Sequence, residues 1–531
     1  MSNITLVMQV VEPRFAVFML EGSGKFLTNE NYEIFINGTK TGVSNKVVET
    51  LYDLLPQTAY SLDIVMGEQY YHTEFTTGVE LVTLDVHRFG AKGDGKTDDT
   101  SAIQAAILCC PANGRVLVPQ GDYRVGSLFL KSDITIEVAK DATLKFTTDR
   151  KKLPILPGLI ETTDGKGEYN LGSWEGNPLN TFASLFTGVG VENVVITGQG
   201  VLDGEASFEN WWKDEGRIKI GGAFRPRMIF LNNCKHILIQ GLTIQNSPAW
   251  NLHPYFSEDT KWINLTVLNP KVSPNTDGID PESVNGLLLL GVHFSLGDDC
   301  IAIKAGKIYM GKKYKVPSRN LEVRHCLMEN GHGAVTIGSE MAGGVYDVLA
   351  SDCVFRNTDR GLRVKTRRGR GKDAVVSNIT FENIDMDGVL TPFVVNSFYW
   401  CCDPDGHSDY VRSKECLPVD DRTPRIKELT FRNIDARNSE VAACYFHGLP
   451  EAKIEKLTLQ NVHVGFAEEA KPEYPAMMAD LDMCIKKGYV IKNVNELVLD
   501  TVTIEGQEGL GFLCEDIDIL HTQGEMECDL Q

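Results

Sequence analysis

One short unit recurs along most of the chain and limits what it can fold into: an apolar β-prone stretch, an asparagine or other polar residue, then a second apolar alternation. It reads His236-Ile237-Leu238-Ile239-Gln240-Gly241-Leu242-Thr243-Ile244-Gln245-Asn246, and again around Leu265 to Val267, Val292 to Phe294 and Cys353 to Phe355. Later copies are Asn378-Ile379-Thr380-Phe381-Glu382-Asn383-Ile384, Glu428-Leu429-Thr430-Phe431-Arg432-Asn433-Ile434, Lys456-Leu457-Thr458-Leu459-Gln460-Asn461-Val462 and Glu496-Leu497-Val498-Leu499-Asp500-Thr501-Val502. Neighbouring copies lie about 23 to 50 residues apart, separated by turns rather than amphipathic helices, so each unit must bury its apolar face against the next. The predicted fold is all-β, a parallel β-helix. A β-propeller would need four strands in every repeat and a closed ring, which these short, uneven spacings do not supply. One helix is expected, Asp98 to Leu108, opened by Thr97-Asp98-Asp99 and carrying Ile103, Ala106 and Ile107 on one face to cap the first coil.

Ahead of the repeat, β-prone runs alternate with turn signals: Tyr32 to Ile36, the Asn37-Gly38 turn, Lys46 to Leu51, Ser61 to Met66 and Tyr70 to Phe75. They predict a small β-sandwich. Leu54-Leu55-Pro56-Gln57-Thr58-Ala59-Tyr60 resembles the fibronectin type III corner, in which a tyrosine hydroxyl ties down the adjacent loop. Thr76-Thr77-Gly78 is the expected joint, giving a sandwich over residues 1–78 and a β-helix over 79–531. A length of 531 residues fits two cores better than one.

A formal net charge of -20 disfavours nucleic acid and anionic lipid as partners, since both attract proteins through a positive field. An anionic substrate therefore needs a locally basic pocket. No apolar run is long enough to span a bilayer, and Met1 to Leu20, with Glu12 and Arg14 between apolar runs, lacks the pattern of a secretion signal. The thirteen cysteines, Cys109-Cys110 and Cys401-Cys402 among them, show no paired CxxC spacing and read as reduced, mostly buried thiols. A cytoplasmic location is the expectation, or a secreted or periplasmic one if a leader was removed.

Four clusters inside the central coils carry chemistry: Asn275-Thr276-Asp277-Gly278-Ile279-Asp280, Gly297-Asp298-Asp299-Cys300, Gly331-His332-Gly333 and Arg363-Val364-Lys365. Equivalent positions of successive coils stack about 4.8 Å apart, so the clusters can converge on one strip of surface. Gathering Asp277, Asp298 and Asp299 is electrostatically costly, because clustered carboxylates repel and one holds its proton to higher pH. Glycosidases use that arrangement: a protonated carboxyl serves the leaving oxygen while an ionised one activates water. Taken singly, the aspartates also suit a turn or calcium ligands, His332 a turn, and Arg363 with Lys365 an exposed strand face. Arg363 and Lys365 share a side of their strand and suit a sugar carboxylate. The basic stretch from Lys365 to Lys372 adds local positive charge, or is a solvated loop.

In this order the motifs Asn-Thr-Asp, Gly-Asp-Asp, Gly-His-Gly and Arg-x-Lys resemble those of glycoside hydrolase family 28, the polygalacturonases. The resemblance runs from about Asp85 to the last coils, including Phe89-Gly90-Ala91-Lys92-Gly93-Asp94-Gly95 and Gly198-Gln199-Gly200-Val201-Leu202-Asp203-Gly204. It implies a right-handed, pectin lyase-like β-helix that needs no metal or other cofactor and hydrolyses α-1,4-galacturonosidic bonds with inversion. Asp298 would be the general acid, and Asp277 and Asp299 would hold and deprotonate the attacking water. His332 would support the carboxylates by hydrogen bonding, and Arg363 with Lys365 would grip the sugar carboxylate on the leaving side. Tyr399 would flank that subsite, and His253, in Trp250-Asn251-Leu252-His253-Pro254, is a substrate contact by the same likeness. The long segments Lys152 to Ser184 and Tyr399 to Thr423, with the sandwich module, resemble features of bacterial exo-acting members, implying release of sugars from a chain end. Alternatives are an endo-polygalacturonase, a rhamnogalacturonan or xylogalacturonan hydrolase, a calcium-dependent pectate lyase and a β-solenoid carbohydrate-binding protein. The oligomeric state is left open.

Overall fold

The computed structural model describes residues 4–214, 220–401, 407–524 and 528–530, so Cys402 of the expected Cys401-Cys402 pair lies outside the described residues. The chain opens with two antiparallel sheets. Thr5–Val11, Ala16–Glu21 and Val48–Leu51 form one; the other runs Thr39–Lys46, Leu27–Ile36, Ala59–Met66, Gln69–Thr76. Asn37 and Gly38, at φ 50° and 74°, make the expected tight hairpin turn. The Tyr60 hydroxyl accepts a hydrogen bond from Leu55 N at 2.8 Å, the expected corner contact.

The run Lys46 to Leu51, predicted as one strand, is divided. Thr39–Lys46 ends in the second sheet, and Val48–Leu51 crosses to the first. The strand Ala16–Glu21 gave no alternating signal because both of its faces are buried. Ala16, Phe18 and Leu20 enter the sandwich core, while Phe15, Val17 and Met19 pack with Val47 and Val48 on Leu238, Ile263 and Leu290 of the solenoid. Hydrogen bonds join the same surfaces: Gln240 Nε2 donates to Thr50 Oγ1 (2.9 Å) and Tyr52 Oη (2.8 Å).

From Thr83 onward the strands stack in parallel columns that wind as a right-handed parallel β-helix. One internal row reads Ile136, Ile196, Ile239, Trp262, Leu289, Val323, Ala350, Phe381, Phe431, Leu459 and Leu499, each paired with the next. Every member is buried, so the row is a continuous apolar spine. The asparagine in the repeat turns the corner between the first and second columns. Asn383, Asn433 and Asn461 adopt φ of 55°, 53° and 51°, a left-handed conformation that asparagine tolerates. Their side chains also stack, Asn433 Nδ2 donating to Asn383 Oδ1 (3.1 Å) and Asn461 Nδ2 to Asn433 Oδ1 (3.0 Å).

A third column carries the site: Leu128–Phe129, Phe186–Val189, Ile229–Asn232, Leu252–Tyr255, Ile301–Ile303, Val335–Ile337, Arg360–Lys365, Thr391–Asn396 and Ala442–His447. The cap helix spans Thr100–Cys109, two residues later than expected at its start. Asp99 is drawn away from capping because its carboxylate accepts from Lys92 N (2.7 Å) and Gly93 N (3.1 Å). Ile103, Ala106 and Ile107 are buried as expected. Eleven of the thirteen cysteines are free thiols, seven of them buried.

Candidate active site

The register of the third column decides which side chains meet. Leu252 pairs with Ile279, Ile279 with Ile301, Ala302 with Thr336 and Thr336 with Arg363. Asp277, Asp298, Asp299 and His332 stand in the turns that enter this column, stacked by backbone bonds between coils. Gly278 N donates to Asp299 O (3.0 Å), Cys300 N to Gly333 O (2.8 Å) and His332 N to Asp298 O (3.1 Å). Oxygens of the Asp277, Asp298 and Asp299 carboxylates consequently lie within 4.8 Å of one another. Gly333 must be glycine for close approach: a Cβ there would sit 2.6 Å from Asp299 Oδ1 and 2.3 Å from Thr336 Oγ1.

Asp277 and Asp299 are buried, whereas Asp298 is half-buried and opens into a cavity of about 540 Å³. Arg363 and Lys365 project into the cavity from one side of their strand. Arg363 Nη1 lies 3.2 Å from Asp299 Oδ1, and Lys365 Nζ lies 2.8 Å from Asp299 Oδ2 and 5.4 Å from the centre of the Tyr399 ring. Burial alone would raise the Asp299 carboxyl, but Lys365 and Arg363 outweigh it and hold the group below the usual carboxylate range. For Asp277, burial is offset only in part by the Lys304 charge. Burial, then the charges of Asp280 and Asp298, push it well above that range. Of the three carboxyls, Asp277 thus favours its protonated form, whereas Asp299 favours its ionised form. The carboxylates are close enough to share a metal ion, yet both Asp299 oxygens are engaged by cations whose charge opposes a second one.

His332 is placed differently from expectation. Its Nδ1 is 2.6 Å from Asp359 Oδ2, an acid that occupies the matching turn of the next coil, so the imidazole bonds Asp359 and only the backbone N of His332 meets the three aspartates, at Asp298 O. That bond to Asp359, followed by the charges of Asp298 and Asp299, raises the imidazole above its ordinary value although its side chain is exposed.

His253 is not available to a substrate in this structure. It sits on the outward side of the third column, but is fully buried and bonds Glu282 Oε2 through Nε2 at 3.0 Å. The inserted segment lies over it: Asn170 Nδ2 donates to Tyr255 Oη (2.6 Å), and Asn232 Nδ2 to Asn170 O (2.9 Å). Trp174 of the insertion is stacked between Phe224 (4.9 Å) and Trp250 (5.9 Å), with the Arg227 guanidinium 5.0 Å from its ring. Phe230, Asn232, His253 and Tyr255, all on the outward side, are at most 2 % exposed, so the cleft stops there.

The basic stretch after Lys365 is not a solvated loop. Arg367, Arg368 and Arg370 are buried. Arg368 pairs with Glu451 through two bonds of 2.6 and 2.9 Å and donates to the carbonyls of Tyr410, Ser413 and Glu415, pinning that loop at the pocket's edge. Arg370 Nη2 donates to Ser339 Oγ (2.9 Å) at the pocket wall.

Four further residues escaped the sequence reading. Lys304, a buried ammonium in the wall, lies 3.4 Å from Asp280, 3.2 Å from Glu340 and 4.8 Å from the Trp250 ring centre. The alternation Ile301-Ala302-Ile303-Lys304 points it outward, a signal that could have found it. Burial opposes ionisation of Glu340, but Lys304, Arg370 and Lys307 hold it well below the carboxylate range. Glu473 and Met477, from a segment that no motif marked, close the opposite wall.

Residues 111–475 match the family model described as glycosyl hydrolases family 28. A protein named as a probable polygalacturonase of Vitis vinifera is 31% identical over 395 residues, covering 72% of this chain and 74% of its own. The structure of an exopolygalacturonase from Thermotoga maritima is similar at TM-score 0.64 and 27% identity, over 80% of this chain and 92% of that one. A family 28 exopolygalacturonase of Yersinia enterocolitica shares the fold at TM-score 0.71 and 19% identity over 99% of both chains, so the likeness takes in the antiparallel sheets at the start. Further relatives carry both exo and endo names. With a family match across most of its solenoid, over the coils that gather the acidic and basic groups, the chain belongs to glycoside hydrolase family 28, the polygalacturonases.

Proposed function

We propose that the protein is an inverting exo-polygalacturonase acting on polygalacturonan or oligogalacturonides from the non-reducing end. The observation that carries the chemistry is the three carboxylates within 4.8 Å of one another beside a lysine and an arginine. Asp298, the most open of the three, protonates the leaving oxygen. Asp277 and Asp299 hold the water between them on the other face of the ring, with Asp299 kept ionised to receive its proton. The proton that Asp277 attracts is shared across the three carboxylates and rests on Asp298 at the moment of transfer; Asp299 gains the proton of the water, and that proton returns to Asp298 after cleavage. Arg363 and Lys365 take the carboxylate of the leaving sugar beside Tyr399, and the His332 imidazole, held by Asp359, stands at the rim as a hydrogen-bonding group. His253 acts only as packing beneath the insertion.

End attack is supported by the buried outward positions around Phe230, Asn232, His253 and Tyr255. They belong to coils before the aspartates, whereas Arg363, Lys365 and Tyr399 belong to coils after them. The attacked sugar therefore meets a wall and the leaving sugar does not, which selects a terminal non-reducing residue. We also place a domain boundary between residues 78 and 79, with a fibronectin type III-like first domain, supported by its strand order and the Tyr60 corner contact.

Replacing Asp298 by Asn tests the assignment. Turnover should be lost while galacturonate binding persists, a separation that a carbohydrate-binding solenoid does not produce. Full hydrolysis by this variant would refute the acid role. Digestion should yield reducing ends without ultraviolet absorbance and tolerate chelator, the opposite of a calcium-dependent lyase.

A further inference from the structure

A second cavity, of about 470 Å³, adjoins the catalytic pocket, and the two share Arg360, Glu473 and Met477 as lining. Its walls are tied to the strand ends that present Arg363 and Lys365. Tyr399 and Met478 form a β-bridge, Trp400 N donates to Met477 O (3.3 Å), and Asn396 Nδ2 donates to the same carbonyl (2.8 Å). Arg360 donates to Tyr474 O. The segment that carries these groups is thus fixed to the third column.

Two broad aromatic rings face water on this floor, Trp400 at 37% and Tyr474 at 44% exposed, and the His407 imidazole stands 5.4 Å from the Trp400 ring. The proposed catalytic arrangement makes no use of either. Broad aromatic faces with a polar edge suit a sugar ring, whose C–H face is apolar and whose rim carries hydroxyls. Arg412 lines the same cavity and keeps one nitrogen, Nη2, 2.5 Å from Asp480 Oδ1. A guanidinium has five N–H donors, so that pairing leaves capacity for a carboxylate. Glu473 and Asp480 oppose a polyanion. Glu473 Oε1 accepts from Tyr474 N (2.8 Å) beside the Arg360 charge, and Asp480 is paired with Arg412, so both are partly neutralised.

We propose that Trp400, Tyr474 and Arg412 form a distal subsite for the second and third galacturonate residues on the leaving-group side. The site rests on the end-attack reading: the far end of the pocket is walled, so a longer chain extends past Met477 into the second cavity. The remote sugars contribute binding energy that shorter substrates lack.

The test is the ratio of kcat/KM for tetragalacturonate to that for digalacturonate, with products followed in the same digests. The wild-type ratio should exceed one by about tenfold, the scale of one well-made ring contact. Trp400→Ala and Tyr474→Ala should each bring it close to one, Trp400→Phe should restore most of it, and Arg412→Gln should lower it partway. A wild-type ratio of one, or a ratio that Trp400→Ala and Tyr474→Ala leave unchanged, overturns the subsite. Mid-length early products from the wild type instead overturn end attack, whatever the ratios are. The two failures are therefore distinguishable.

Discussion

Replacing Lys365 by Met should move the acid limb of the pH-rate profile. The ammonium is 2.8 Å from Asp299 Oδ2, and two unit charges at that distance attract by about 6 kcal/mol at an effective dielectric of about 20. Desolvation offsets much of this, and Arg363 remains at 3.2 Å. The span observed for a carboxylate beside one cation, about 1 to 3 pH units, sets the scale of the change. The sign follows from the charge. Asp299 is held ionised by its neighbours, so losing one raises its pKa, and the base is protonated at a higher pH than before. The acid limb of kcat/KM, which reports the free enzyme, should therefore rise by about 2 pH units. Well above that limb a loss of about 10- to 150-fold should persist, mainly in KM, because a charged hydrogen bond to the sugar is gone. Reducing-sugar release from oligogalacturonides between about pH 2 and 8 measures both effects, the wild type keeping its rate to a lower pH than the variant. Lys365→Arg should leave the limb in place. If Lys365→Met raises KM without moving the limb, the lysine serves only the substrate and does not hold Asp299 ionised.

Arg368→Met should cost about 3–5 kcal/mol by stranding the buried Glu451 carboxylate, and adding Glu451→Leu should recover much of it; denaturant midpoints of the three variants decide. Trp174→Ala should cost about 3–5 kcal/mol and bring mid-length oligomers into the early products, because the wall over the closed end rests on that ring. Unchanged products would detach the insertion from end attack. Stability should peak near about pH 4 to 5 and fall toward pH 8. Burial pushes Asp280 up to about 8 and Glu282 up to about 7, so the native state holds protons that the unfolded chain has already released. Below the peak, Asp299 and Glu340, both held low, lose their stabilising charge as they protonate. Asp280→Asn should flatten the alkaline fall in Tm, and a fall as steep as in the wild type would contradict this.

The solenoid was legible because each coil repeats the same local choice, apolar residues inward and an asparagine at the corner. Asp277, Asp298, Asp299, Arg363 and Lys365 were legible because each stands in a compact motif. What joins them is the third column, whose strands are short and buried on both sides near the insertion, so they carry little alternation. Lys304 and Glu340 meet only because coil lengths set their register, which composition does not reveal. The same holds for His332, whose nearest acid, Asp359, comes from the following coil. His253 was expected to touch substrate; it does stand on the outward side of the third column, but only the path of the insertion shows that this side is covered. The sequence leaves the run from Arg367 to Arg370 open between a local positive patch and a solvated loop, because charge is normally solvated. Here the partner of Arg368 is Glu451, 83 positions away. The strand Ala16–Glu21 is hidden for the converse reason, since docking on the solenoid replaces its polar face with an apolar one.

The configuration of the first product tests the central claim most directly. Proton NMR of a digest of trigalacturonate in its first minutes should show the β-anomer of free galacturonate, formed by water attacking opposite the bond that Asp298 protonates. An initial α-anomer, or an unsaturated sugar, would contradict the assignment of Asp277, Asp298 and Asp299 as an inverting set.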